Sequence, residues 1–171
     1  MIDIDLESLR ELVGLAAQFE RPWGEERISA ELLASGWEPV GSVSLPHPQR
    51  LGKNGLLLGV ECDEDLPYVG VTLKEWEPDW DSADYVRAVT EGYEDQIRDA
   101  QELAGRFSAL LGEIFSVEPE DLILDTEEFF YFVHTDCWKV GNVHVVLAVE
   151  HLDRSDTAIT VSLYVIDESR G

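Results

Sequence analysis

The chain has 171 residues, with 36 Asp and Glu against 12 Lys and Arg, for a formal charge of −24. A surface this acidic repels nucleic acid and anionic membranes and attracts basic proteins. Hydrophobic residues make up 44% of the chain and five Trp are present, enough to build a core, which excludes a disordered acidic tail.

The length fits a single domain over residues 1–171. The first residues, Met-Ile-Asp-Ile-Asp-Leu-Glu, are acidic where a signal peptide would be basic, and no run approaches the roughly 20 apolar residues of a membrane span. The cytoplasm is therefore the expected compartment, without membrane contact. Cys62 and Cys137 are too few for a disulfide framework and fit reduced thiols.

Leu6, Leu9, Val13, Ala16 and Phe19 recur at helical spacing and predict a first helix from about Asp3 to Phe19. Arg21-Pro22-Trp23-Gly24 breaks it. A shorter helix follows from Glu25 to Ser35, with Gly36 as its C-terminal cap. Three strands come next: Glu38 to Leu45, a run carrying Leu56, Leu58 and Val60, and a run carrying Val69, Val71 and Leu73. Pro46 to Gly55 reads as a loop, and Asp63-Glu64-Asp65-Leu66-Pro67 as an acidic turn.

A long helix is predicted from near Ser82 through Ile114. The last third reads as three strands, Phe129 to Val140, Val143 to Leu152 and Thr157 to Ile166. Gly141-Asn142 is a two-residue hairpin signal with glycine first. It sets Val140 opposite Val143, Trp138 opposite Val145, Asp136 opposite Leu147 and His134 opposite Val149. An odd-length loop after the second of these strands puts Ile159, Val161, Leu163 and Val165 on the same face as Val145, Leu147 and Val149. Runs of strands separated by helices give an α+β class: antiparallel β-meanders packed against two short N-terminal helices and one long central helix. The two halves are loosely alike, each a helical segment followed by a meander.

The acids are concentrated. Glu61 to Asp95 holds twelve acids and two basic residues, and Glu118 to Asp136 holds seven acids and no Lys or Arg. Trp76 and Trp80 lie within the first cluster. Rings beside carboxylates suit a protein interface, where the ring anchors and the charge steers. The same rings could equally be turned into the core. The candidate partner-binding set is Asp63, Glu64, Asp65, Trp76, Asp79, Trp80 and Asp81.

Asp79, Asp81 and Asp84 resemble the start of a calcium loop, but the twelve-residue ligand pattern does not follow. Capping the long helix suits them better. His134 and Asp136 share a strand face that Cys137 does not, so no cysteine–histidine pair forms there. Nucleophile elbow, paired zinc ligands and phosphate-binding glycine loop are all lacking. The expectation is a protein without catalytic residues, metal or cofactor.

Trp138-Lys-Val-Gly-Asn-Val-His-Val-Val-Leu147, His151-Leu-Asp-Arg-Ser-Asp156, Val161-Ser-Leu-Tyr-Val165 and the upstream Phe107-Ser-Ala-Leu-Leu-Gly112, with the Gly36-Trp37 step, resemble small acidic bacterial immunity proteins that accompany polymorphic toxins. The resemblance implies a non-enzymatic protein that binds and blocks one cognate toxin. Three alternatives are a secretion chaperone for an exported effector, a nucleic-acid mimic, and an acid–base enzyme using Asp121, Asp125, Glu127 or Glu128.

Overall fold

The computed structural model describes residues 3–41, 50–62, 67–79, 81, 83–112, 118–119, 132–151 and 158–167. Its elements in chain order are α1 (Leu6–Ala16), α2 (Glu25–Ala34), β1 (Glu38–Pro39), β2 (Arg50–Lys53), β3 (Leu56–Cys62), β4 (Pro67–Trp76), α3 (Tyr85–Gly112), β5 (Glu118–Pro119), β6 (Phe132–Val140), β7 (Val143–Glu150) and β8 (Ile159–Asp167). The class is α+β, as expected. One antiparallel sheet of eight strands runs in the order β1-β2-β3-β4-β8-β7-β6-β5. The two meanders are thus not separate layers. They meet along β4 and β8, and each half contributes four strands in chain order from the edge inward.

Register explains the core. Leu51, Leu58, Val71, Leu163 and Leu147 are successive cross-strand partners from β2 to β7, one apolar row across five strands. Val60, Val69, Val165, Val145 and Trp138 form a second row from β3 to β6. All ten are buried, and the apolar stripes of the three helices join them in one cluster. The opposite face is closed at its centre too, by Val146, Ala148, Tyr164 and Ile166. There the Tyr164 and Thr160 hydroxyls donate to Glu150 Oε1 at 2.6 and 3.1 Å. Burial is the main cause pushing the Tyr164 phenol up, with the Glu150 charge adding to it.

Local chemistry sets the element ends. Asp5 caps α1, accepting from the Glu7 and Ser8 amides at 3.1 and 3.3 Å and from Asn54 Nδ2 at 2.9 Å. The Ser8 and Asn54 hydrogen bonds hold the Asp5 carboxyl below its usual range. Gly36 ends α2 at φ +87, and the Trp37 amide reaches back to the Leu32 carbonyl, a left-handed cap that glycine adopts without strain. Gly141 stands at φ +60, and the pairs Val140–Val143, Trp138–Val145, Asp136–Leu147 and His134–Val149 all form as the hairpin signal predicts. Val145, Leu147 and Val149 face Val165, Leu163 and Val161, as an odd loop requires.

Two expectations are corrected. The predicted loop Pro46 to Gly55 contains β2, which pairs with β3 through a two-residue turn at Asn54 (φ 50) and Gly55 (φ 81). Asn-Gly favours that turn because both residues tolerate positive φ. Arg50, Gly52 and Lys53 hide the strand period, leaving Leu51 as the only inward apolar residue of the four. The second correction concerns β4. Its ladder shifts between Thr72 and Lys74, so one extra residue reverses the alternation, and Lys74 and Trp76 pair with Val161 and Ile159 on the helix-covered face. The first predicted strand, Glu38 to Leu45, is described as β1 with residues 40 and 41 after it, while residues 42–49 lie outside the described set. Ser82 and Ile114, the expected limits of the long helix, also lie outside it.

The bulge sets up a tight contact. Trp76 lies over Gly92 of α3, and a methyl built at Gly92 would overlap its ring. Gly→Ala inside a helix ordinarily stabilises by about 1 kcal/mol. Here overpacking at a cost of ~1–3 kcal/mol should outweigh that gain. Gly92→Ala is expected to lower the melting temperature, and combined with Trp76→Ala the loss should be smaller than the sum of the two single losses. A Gly92→Ala protein that melts above wild type would contradict this packing.

Candidate functional site

Helix α3 is 28 residues, roughly 42 Å at 1.5 Å per residue. Gly92, Gln96, Asp99, Ala100, Leu103, Ala104, Phe107 and Leu111 form its buried stripe at three- and four-residue steps. The Phe107 ring stands edge-on to Trp138 at 5.7 Å, and Trp138 Nε1 donates to Ser108 Oγ at 2.8 Å. Near the other end, Lys74 Nζ donates to Asp99 Oδ2 at 2.8 Å, and Tyr93 Oη meets His151 Nδ1 at 2.5 Å. These contacts fix the rotation of the helix on the sheet. The opposite side is thereby committed to solvent.

That side is acidic. Glu91, Glu94, Asp95 and Glu102 are exposed along α3, and Glu77, Asp79, Asp81 and Asp84 are exposed ahead of it. Three cations, Arg87, Arg98 and Arg106, are exposed on the same helix. Two of them are engaged by a neighbour on that helix, Arg87 Nε with Glu91 at 2.8 Å and Arg98 Nη2 with Asp95 at 2.6 Å. Among these acids stands Val86, 76% exposed in the first turn of α3. The Asp84 carbonyl accepts from the Ala88 amide at 3.0 Å, which puts Asp84 at the N-cap position. Carboxylates gathered there are favoured by the positive end of the helix dipole.

Further along the helix the acids are not favoured by their surroundings. Glu91 with Glu94 and Glu91 with Asp95 are like charges at i,i+3 and i,i+4, each pair unfavourable by about 0.2–0.5 kcal/mol. The exposed Arg pairs return amounts of similar size. The face therefore contributes nothing appreciable to the fold, and its charge acts outward.

The predicted partner-binding residues divide accordingly. Asp79 and Asp81 lie on this face, and Asp79 Oδ1 accepts the Asp81 amide at 3.2 Å. Asp63, Glu64, Asp65 and Trp80 lie outside the described residues. Trp76 is turned inward by the β4 bulge and is half-buried against α3, which is the core alternative for that ring. Glu91, Glu94, Asp95 and Glu102 are absent from that set, although each falls between the buried positions of the helical stripe. Val86 corrects the sequence reading: helical spacing places it with the inward stripe that continues through Tyr93 and Ala100, but it is exposed in the first turn of α3.

Other chemistry weighed from sequence is placed as follows. His134 Nε2 and Asp136 Oδ2 are 3.0 Å apart on one face, while Cys137 packs with the opposite cluster. Among the described residues, no three His, Cys, Asp or Glu side chains gather as a ligand set. No described helix is long and apolar enough to cross a membrane. Asp121, Asp125, Glu127 and Glu128 lie outside the described residues.

The Lys74–Asp99 pair beneath the face has a pH signature. Asp99 is 7% exposed, and the Lys74 hydrogen bond lowers its carboxyl from the ordinary value near 3.8. A depressed folded-state pKa contributes stability above the unfolded pKa, and that stability is lost as pH falls through the folded value. Lys74→Met should therefore cost most at neutral pH, and its deficit should shrink below about pH 4 in urea titrations. A deficit equal at pH 7 and pH 3 would assign Lys74 to packing alone.

No family model, curated protein or solved structure matches the chain.

Proposed function

We propose that this is a non-enzymatic binding protein of the immunity type, acting in the cytoplasm, which inhibits a cognate bacterial toxin by laying its acidic α3 face over a basic surface of that toxin. One observation carries the reading. Eight exposed acids accompany three exposed cations from residue 77 to residue 106, and two of the cations are paired within the helix. A predominantly negative field of this kind raises association rates by 10–10³ and suppresses wrongly charged partners. Val86, exposed in the first turn of α3, supplies an apolar spot that a purely electrostatic contact lacks, and apolar contact beside a charged rim is the usual anatomy of a tight interface. The sequence resemblance to immunity proteins points the same way.

The test uses the product of the neighbouring reading frame. The chain should copurify with it and abolish its toxicity on coexpression. In the variant Glu91→Gln, Glu94→Gln, Asp95→Asn, Glu102→Gln the like-charge repulsion is relieved. Its melting temperature should equal or exceed that of wild type while protection is lost. A variant that protects as fully as wild type would remove the α3 face from function. A secreted, non-toxic neighbour bound in the same way would favour the chaperone alternative.

A further inference from the structure

A groove of about 370 Å³ opens between α1, the end of α2 and β2, and it shares no residue with the acidic α3 face. Its volume sits at the lower end of the ~300–1,000 Å³ typical of small-molecule sites. Arg10 and Gly14 of α1 and Gln18 in the turn after it line the groove at four-residue steps, so the middle of that ridge has no side chain. Half-buried Leu15 gives it apolar surface, with Leu12 and Trp37, 1% and 3% exposed, packed beneath. Two of the chain's 12 cations, Arg10 and Lys53, stand at its rim, each with a side chain no more than 25% exposed.

Both cations hold donors to spare. Lys53 Nζ donates to Glu11 Oε2 at 2.9 Å and to the Ser35 carbonyl at 3.2 Å, leaving the third proton of its ammonium. Arg10 pairs through Nη2 with Glu7, whereas its buried Nε has no acceptor among the described residues. A buried donor left unpaired costs about 1–3 kcal/mol, more when charged.

We propose that this groove binds a small apolar monocarboxylate, its hydrocarbon or aromatic body on Leu15 above Leu12 and Trp37 and its carboxylate between Arg10 and Lys53. One negative charge fits and several do not. Glu7 and Glu11 each pair with one of the two rim cations, so the rim offers unused donors rather than excess positive charge, and the overall field of −24 opposes a polyanion.

The experiment is an NMR titration of the full chain with 3-phenylpropionate and, separately, with its neutral counterpart 3-phenylpropan-1-ol. The acid should give saturable shifts at Gly14, Gln18 and the Trp37 indole, with the alcohol at least tenfold weaker. Arg10→Gln should reduce the affinity for the acid to that for the alcohol and leave the affinity for the alcohol unchanged, which also reports that the groove is intact. Lys53→Met should weaken the acid selectively in the same way. Equal binding of acid and alcohol, equal loss of both in Arg10→Gln, or no saturable shift up to about 10 mM acid, a concentration well past a millimolar Kd, would overturn the proposal.

Discussion

Leu147→Ala is expected to lower the unfolding free energy by about 2–5 kcal/mol, the range for truncating a leucine that cannot be replaced by collapse around it. Leu147 is 1% exposed, at the end of the apolar row that begins at Leu51, with Leu163 beside it and α3 above β7. Its neighbours are held by ladder hydrogen bonds on β8 and β6, so the backbone has little freedom to fill the cavity. Leu57→Ala supplies the contrast: Leu57 is 39% exposed on β3, and its loss should stay within about 0.5 kcal/mol. Urea titrations of the two variants should differ in midpoint with similar slopes. A Leu147→Ala loss below ~0.5 kcal/mol would mean that the helix-covered face has been misassigned.

Arg21→Ala should cost about 3 kcal/mol, a large effect for a residue outside every helix and strand. The Arg21 guanidinium donates through Nε to Asp167 Oδ1 at 2.5 Å and through Nη2 to the Asn142 carbonyl at 2.6 Å. It thus ties the segment after α1 to the end of β8 and to the β6–β7 turn. The Asp167 side chain is 2% exposed, so removing the cation leaves a buried carboxylate without this partner. Arg21→Lys keeps the charge but not the two-pronged geometry, and it should recover only part of the loss. Thermal or urea unfolding of both variants checks this. A loss under ~0.5 kcal/mol for Arg21→Ala would make the contact an ordinary surface pair.

The parts of the fold legible in the sequence were those with a local cause. The β6–β7 register followed from Gly141-Asn142 because a two-residue turn leaves the pairing no freedom. The face of β8 followed from the clean alternation of Ile159, Val161, Leu163 and Val165. The α2 stop followed from Gly36. Asn54-Gly55 was an equally local signal for β2–β3, obscured by the polar strand before it.

The joining of the two meanders at β4 and β8 was not legible, since it pairs residues about a hundred positions apart with no motif at the seam. The bulge after Thr72 was hidden for another reason. Leu73 continues the apolar alternation of Val69 and Val71, so the pattern gives no hint that the strand changes face before Trp76. That one residue moved a candidate anchor into the core. The acidic face of α3 does not depend on that bulge, because the outward placement of Glu91, Glu94, Asp95 and Glu102 follows from helical spacing.

Stopped-flow association with the neighbouring gene product, measured at several salt concentrations, tests the central claim most directly. Charge steering acts over a Debye length of about 10 Å at 0.1 M salt and ~3 Å at 1 M. For wild type the association rate should fall steeply with salt, while dissociation, governed by contacts around Val86, should change little. The variant neutralised at residues 91, 94, 95 and 102 should associate at least tenfold more slowly at low salt, with a flatter salt dependence. Association that is independent of salt, at the same rate in wild type and variant, would contradict a function carried by the acidic face of α3.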